Sequence, residues 1–409
     1  KNPAFSSLTI TVMAAGLGLS IFMLAFISSI IARPLPFTDG EQMHIIELEF
    51  DGIHYNGGSI LHPDYLVIKE QSNSYTEMGA YYNATANISN GDRAQRFAGI
   101  VTDANMFSYT DTHPLLGRGF TKEDALPGAE PVVVIGFEVW KNYFNEDKLI
   151  VGTTTKINGL DTQIVGVMPQ GYQFPMAADL WMPLTADAIR VKRSAAAHVG
   201  IYVKKKPEVT LEEANQEVKA IMANIAKQYP ETNSKSSAYV DTFQKWMMGD
   251  GANMIVGLML TAVSFVLVLA CINVGNLLFA RANERAKETA IRVALGAPRG
   301  RLIMQMMWES LIICLLGGVF GIFLAAWGLE LLDIILPKMM PISVPFWWQM
   351  SLDTELIIQS IVIIITTAFL TGIVPAWRMS KGDFNAVLRD GTRGSMGKKA
   401  GRINRFLVT

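Results

Sequence analysis

Cysteine is all but absent from this sequence: the 409 residues hold two, Cys271 and Cys314, and none lies between Arg33 and Met248. That long polar region therefore folds without disulfides. The two thiols each sit in an apolar run and read as small lipid-buried fillers rather than ligands or nucleophiles. Histidine is scarce too, and His44, His54, His62, His113 and His198 show no H-E-x-x-H or other metal-ligand spacing. No G-x-S-x-G occurs, so no nucleophile elbow is signalled. A phosphate-cradling G-x-x-x-x-G-K-[ST] is also missing, since GAPRGR at Gly296–Arg301 lacks both its spacing and its Lys-Ser/Thr end. No catalytic, metal or nucleotide constellation is legible.

Net charge is nearly nil as well, 35 basic against 36 acidic residues, which gives no footprint for nucleic acid. The signs are segregated along the chain. Most acids fall between Asp39 and Asp250, while bases collect near residues 281–301 and again after Trp377. A mean hydropathy of +0.27 with half the residues apolar points to a membrane protein.

What is present is a set of long apolar runs. Leu8–Ile31, Met254–Ala280, Ile303–Leu336 and Leu356–Pro375 are each long enough to cross a hydrocarbon core of about 30 Å. The expected division is span 1 over 1–32, an extramembrane domain over 33–250, span 2 over 251–280, a basic link over 281–302, span 3 over 303–336, a short outer link over 337–355, span 4 over 356–377 and a basic tail over 378–409. The positive-inside rule puts both basic segments and the N terminus in the cytoplasm, and the large domain outside. Trp347 and Trp348 read as interfacial anchors of the outer link. Lys1 and the ending RFLVT lead us to expect further residues at both ends.

Small residues mark packing faces. Ala14 and Gly18 in span 1, and Gly317 and Gly321 in span 3, give small-xxx-small stripes that admit a second helix, within the bundle or across a dimer. Asn273 and Asn276, near the cytoplasmic end of span 2, read as interhelical hydrogen-bonding glue.

Between spans 1 and 2, strand-like runs occur at His44–Phe50, Phe97–Thr102, Val132–Ile135, Thr154–Ile157, Thr162–Val167 and Gly200–Val203. Asn158-Gly159 marks a hairpin between two of them. Helical patterns interrupt the strands at Asp64–Gln71 and Phe137–Phe144. A third helix begins at the Thr210/Glu213 capping box and ends at Tyr229-Pro230. Such a mixture predicts an α+β domain of two subdomains.

The basic link carries the most information. The stretch NVGNLLFARANERAKETAIRVALGAPRGRLIMQMMWES, Asn273–Ser310, places Arg281, Arg285, Lys287, Arg292, Arg299 and Arg301 against two acids, Glu284 and Glu288, between two apolar runs. Residues 282–295 favour helix, Glu288 and Arg292 form an i,i+4 pair, and Gly296 with Pro298 stops the helix. A helix lying at the cytoplasmic surface is expected, docked on a partner or on anionic lipid headgroups.

This stretch resembles the signature of the MacB/FtsX-like ABC transporter permeases, in which an Arg-x-x-Glu helix is followed by Leu-Gly-Ala. Here those positions are Arg285 to Glu288 and Leu295, Gly296 and Ala297, with Glu309-Ser310 after them. KNPAF, RPLPF, LLGRGFTKED, VVVIG, KINGLDTQIVGVMP and PAWRMSKGDFNAVLRDG agree, so the resemblance covers nearly the whole chain. It is especially similar to the internally duplicated subset, whose N-terminal half this chain resembles.

The resemblance implies a MacB-like periplasmic core on four inner-membrane helices. It also implies an export permease whose ATP and Mg are held by a separate ABC ATPase dimer. Carried over by position, Arg281, Glu284, Arg285, Glu288, Arg292, Leu295, Gly296 and Ala297 would contact that ATPase. A second permease half or a homodimer partner, membrane lipid, and a periplasmic adaptor with an outer-membrane channel are the other implied partners. The alternative class is an FtsX-like signal transmitter that regulates a periplasmic partner such as a cell-wall hydrolase.

Overall fold

A computed structural model of the chain describes residues 3–55, 59–90, 93–185, 193–249, 251–284, 291, 298–339, 344–348 and 350–380. Two compact units emerge. One gathers Lys1–Ile27, Val256–Ile334 and Met350–Thr409, the other Ser28–Ile255 with Ile335–Gln349.

The first unit is helical. Four helices are long and apolar enough to cross a membrane, over Ala4–Ile31, Asn253–Arg281, Ile303–Met339 and Thr354–Ile373, in agreement with the four-span reading. They are parts of longer helices: span 1 begins at Pro3, span 2 runs Ala252–Glu284, span 3 runs Arg299–Met339 and span 4 runs Thr354–Ser380. Span 3, with 41 residues, is about 60 Å long, some twice the hydrocarbon thickness.

The second unit is built on a twelve-stranded sheet among the described residues. Its strands are β1 (Met43–Phe50), β2 (Ile53–His54), β3 (Ile60–Leu61), β4 (Tyr75–Asn90), β5 (Arg93–Thr102), β6 (Leu116–Gly117), β7 (Val132–Ile135), β8 (Thr154–Ile157), β9 (Leu160–Val167), β10 (Leu180–Pro183), β11 (His198–Lys205) and β12 (Ser236–Thr242). The main order is β12-β1-β11-β4-β5-β10-β7-β9-β6. Most pairs are antiparallel, and β10 with β5 and β7 with β9 are parallel.

The α+β expectation is met, and the two subdomains take the form of two lobes sharing one long hairpin. In the first lobe, helices His62–Gln71 and Leu211–Gln228 enclose a core with Ile46, Ala80, Ile201 and Val240. Thr210 caps the longer helix through the expected box with Glu213. Ala214, Val218, Ile221, Met222 and Ile225 form its buried stripe. In the second lobe, helix Phe137–Asn142 packs Val139 and Trp140 against β7, β8 and β9. Strand β4 serves both lobes: its first half pairs with β11, and Ile88 and Ser89 pair with β8.

Asn158-Gly159 does turn the β8–β9 hairpin. Both residues hold positive φ, 50° and 86°, as a two-residue turn between paired Ile157 and Leu160 requires.

The outer link needs a correction. Trp347 is 2% exposed and belongs to a core of the sheet domain, with its ring centroid 6.1 Å from Phe243 and 5.0 Å from Phe346. Phe346 in turn lies 5.4 Å from Phe37 of the RPLPF segment. Burial among aromatic rings outweighs the interfacial preference that sequence context suggested for this indole.

Candidate functional site

The basic link and its flanking helix ends form the candidate site. Span 2 stays helical beyond its apolar stretch, and this extension carries Arg281 and Glu284. The Arg281 guanidinium lies 5.3 Å from the Phe5 ring centroid of span 1, a cation–π contact that ties the two helix ends together. Glu284 is exposed. Arg285, Glu288, Arg292, Leu295, Gly296 and Ala297 lie outside the described residues. Ile291 between them is helical and exposed. The chain re-enters helix at Arg299, directly after Pro298, whose carbonyl accepts from the Arg301 amide at 3.0 Å.

Below this link the helices interlock through small residues. The two stripes read from sequence face each other: a Cβ placed on Gly18 would stand 3.0 Å from the Gly321 carbonyl oxygen, and one on Gly317 would stand 2.8 Å from Met13 Cβ and 3.3 Å from the Ala14 nitrogen. Spans 1 and 3 thus meet backbone to backbone, a closeness that only residues lacking bulk allow.

Spans 3 and 4 are joined differently. Ser310 Oγ lies 2.8 Å from the Ala368 carbonyl oxygen and 2.7 Å from Thr371 Oγ1. Cys314 Sγ is 3.6 Å from the same threonine hydroxyl. Ser310 and Cys314 are fully buried. Cys314 is therefore inside the bundle, beside a hydroxyl, rather than against lipid.

Sequence reasoning missed the Ser310–Thr371 contact. Its one available signal was Thr367 and Thr371, two hydroxyls a helical turn apart inside an apolar run.

Asn273 and Asn276 fall on the exposed side of span 2 in the single chain. That helix is also the least covered of the four, with 11% of its apolar window buried against 39% for span 1. Among the described residues the two amides face outward rather than into the bundle.

In the sheet domain, ion pairs tie loops in place. Arg118 Nη2 donates to Asp124 Oδ1 at 2.9 Å, and the Thr121 amide donates to Asp124 Oδ2 at 2.7 Å. Burial alone would raise the Asp124 pKa, but these bonds outweigh it and hold the carboxyl below its usual range. Asp64, 1% exposed, pairs with Arg193 and accepts from Asn233 Nδ2 at 2.7 Å. Arg193 also stacks over Tyr229, 3.9 Å from its ring centroid. Among the described residues, no group of three or more His, Cys, Asp or Glu side chains is placed to hold a metal ion.

Two family profiles match the chain. The MacB-like periplasmic core domain covers residues 6–221 and the FtsX-like permease C-terminal domain covers 260–384. Among curated proteins, a probable export ATP-binding/permease protein MacB of Pseudomonas entomophila is 26% identical over 279 residues, 67% of this chain and 39% of that one. The ABC transporter permease YknZ of Bacillus subtilis is 23% identical over 282 residues, 67% of this chain and 65% of its own length. This chain thus spans well under half of the MacB relative. A solved periplasmic region of MacB from Actinobacillus actinomycetemcomitans aligns with TM-score 0.39 and 14% identity, over 51% of this chain and 91% of that one.

Proposed function

Because the chain belongs to the family of FtsX-like permeases with a MacB-like periplasmic core domain, we propose that it is the permease subunit of an ABC transporter, coupling ATP hydrolysis on a separate cytoplasmic ATPase to movement of its periplasmic domain. The observation that carries this reading is the short link between two long helices. Span 2 is helical through Glu284, the last residue described before Ile291, and span 3 is helical from Arg299. A partner that grips residues 285–297 therefore holds two rigid levers at once. Charge on such a surface fixes docking register more than it adds affinity. Arg281, Glu284, Arg285, Glu288, Arg292, Leu295, Gly296 and Ala297 are the proposed contact set, with ATP and Mg bound on the partner.

Export is the proposed direction, supported by the MacB relatives, which are named as export ATP-binding/permease proteins. The basic link and tail support a cytoplasmic N terminus in an inner membrane. A second permease half, or a second copy of this chain, is proposed to cover span 2, where Asn273 and Asn276 would find partners across the interface. A periplasmic adaptor and an outer-membrane channel complete the proposed assembly.

Affinity purification from the native host tests the assignment. An ABC ATPase should accompany the wild-type chain and be lost on charge reversal at Glu288 and Arg292. Recovery of a cell-wall hydrolase without any adaptor would favour signal transmission over export. Cysteines introduced at Glu212 and Ser395 should label from opposite faces of the membrane.

A further inference from the structure

The link between spans 3 and 4 is part of the sheet domain's core. Pro345 to Trp348 form a turn in which the Pro345 carbonyl accepts from the Trp348 amide at 3.0 Å, so Phe346 and Trp347 are its two central residues. Their rings join an aromatic core on one face of the sheet. It is the face of Ile45 and Tyr202, opposite that of their neighbours Ile46 and Ile201.

That core gathers the outer ends of all four spans. Phe37 lies a few residues beyond span 1, the helix Phe243–Met248 stands just before span 2, and Phe346 and Trp347 lie between spans 3 and 4. Centroid to centroid, Phe346 is 5.4 Å from Phe37 and Trp347 is 6.1 Å from Phe243. Phe37 and Phe243 both meet the fully buried Phe174, at 5.6 and 5.4 Å. Phe174 in turn lies 5.7 Å from Tyr202 of β11. Gln244 Nε2 donates to the Arg33 carbonyl, which ties the exit of span 1 to the approach to span 2.

The four spans differ in how they hold the sheet. Spans 1 and 2 are continuous with it through the chain, at residues 28 and 255, whereas spans 3 and 4 are continuous with each other. Their hold therefore comes from packing by residues 335–349, which group with the sheet domain and include the last residues of the span 3 helix. We propose that Phe346, together with Trp347, is a positioning residue of the coupling path, a strap that fixes the outer ends of spans 3 and 4 to the sheet domain so that their displacement carries it. Rings suit that task, because aromatic pairs have preferred geometries and close-packed interiors transmit strain. The purpose of the strap rests on the coupling reading, but its existence can be tested without an ATPase.

Double electron–electron resonance on the full chain in nanodiscs makes that test. Cys271→Ala and Cys314→Ala form the background, and spin labels are placed on Met339→Cys and Glu212→Cys, two exposed helical positions. The distance distribution should be narrow with the strap intact, and Phe346→Ala should at least double its width. Phe346→Tyr, which keeps the ring, should restore it. Phe97→Ala controls for lost packing alone: Phe97 is also half-buried, with Tyr143 at 5.5 Å, but it belongs to the second lobe, and its loss should leave the width unchanged. If Phe346→Ala fails to fold, Phe37→Leu removes the partner ring while keeping an apolar side chain and should broaden the distribution by at least half. A broad distribution with the strap intact, an unchanged width in the folded strap variants, or equal broadening by Phe97→Ala would overturn the proposal. Because no ATPase is present, failure of the strap and failure of ATPase coupling are read separately.

Discussion

Gly18 of span 1 and Gly321 of span 3 lie backbone to backbone: a Cβ on Gly321 would stand 2.9 Å from the Gly18 amide nitrogen, and one on Gly18 would stand 3.2 Å from Gly321 Cα. Neither position has room for a side chain, and the atoms in the way are main chain and cannot rotate aside. Gly321→Leu should therefore destabilise the membrane unit by about 1–3 kcal/mol, the usual range for overpacking. Thermal unfolding in detergent reads this loss. Leucine at Gly257, where nothing beyond its chain neighbours and its own helix backbone lies within 4 Å of the added Cβ among the described residues, should leave the melting temperature near wild type.

Ser310 and Thr371 couple spans 3 and 4 through a 2.7 Å contact between hydroxyls. A double-mutant cycle of Ser310→Ala and Thr371→Val should give a coupling of about 0.6 kcal/mol and no more than about 1.7 kcal/mol, the average and the maximum for polar pairs in a membrane bundle. Strictly additive losses would mean that each hydroxyl is satisfied by its own carbonyl contact.

Acidification should weaken the sheet domain through two histidines. His44 and His62 are 5% and 3% exposed, and burial lowers the pKa of each from 6.5, with charged neighbours as smaller influences. The unfolded chain then takes up protons that the folded domain refuses, so stability falls as pH drops below about 6.5 and levels off beneath the folded pKa values. Urea midpoints at pH 7.5 and 5.5 measure the slope. Replacing both histidines by glutamine should flatten it.

Trp347→Ala should be among the most damaging single changes in the sheet domain. Its indole is 2% exposed in an aromatic core, and large-to-small changes at such sites cost about 3–5 kcal/mol. The buried Trp347 Nε1 has no hydrogen-bond acceptor among the described residues, so Trp347→Phe should recover most of the loss.

Local signals made much of this fold legible. The Asn158-Gly159 turn, the Thr210/Glu213 box and the four apolar runs each depend on residues close in sequence, and each stands where those residues put it. Strand β4, at 16 residues the longest among the described residues, went unread because YTEMGAYYNATANISN has three Ala and three Asn and carries no clean alternation. Its pairing with β11 and β5 imposes the strand. The burial of Trp347 was illegible for a related reason: its ring partner Phe243 lies about a hundred residues away in the chain, and Phe37, which packs on the adjacent Phe346, about three hundred. At the candidate site, Arg281 and Glu284 could be placed, whereas Arg285, Glu288, Arg292, Leu295, Gly296 and Ala297 rest on resemblance.

The central claim is coupling through the link between spans 2 and 3, and ATP hydrolysis by the reconstituted complex tests it most directly. The hydrolysis rate of the partner ATPase should rise when the wild-type chain is present in proteoliposomes. With Gly296→Leu, or with Glu288→Arg and Arg292→Glu together, that stimulation should disappear while the chain still inserts and melts at the wild-type temperature. Stimulation that survives in these folded variants would contradict the account.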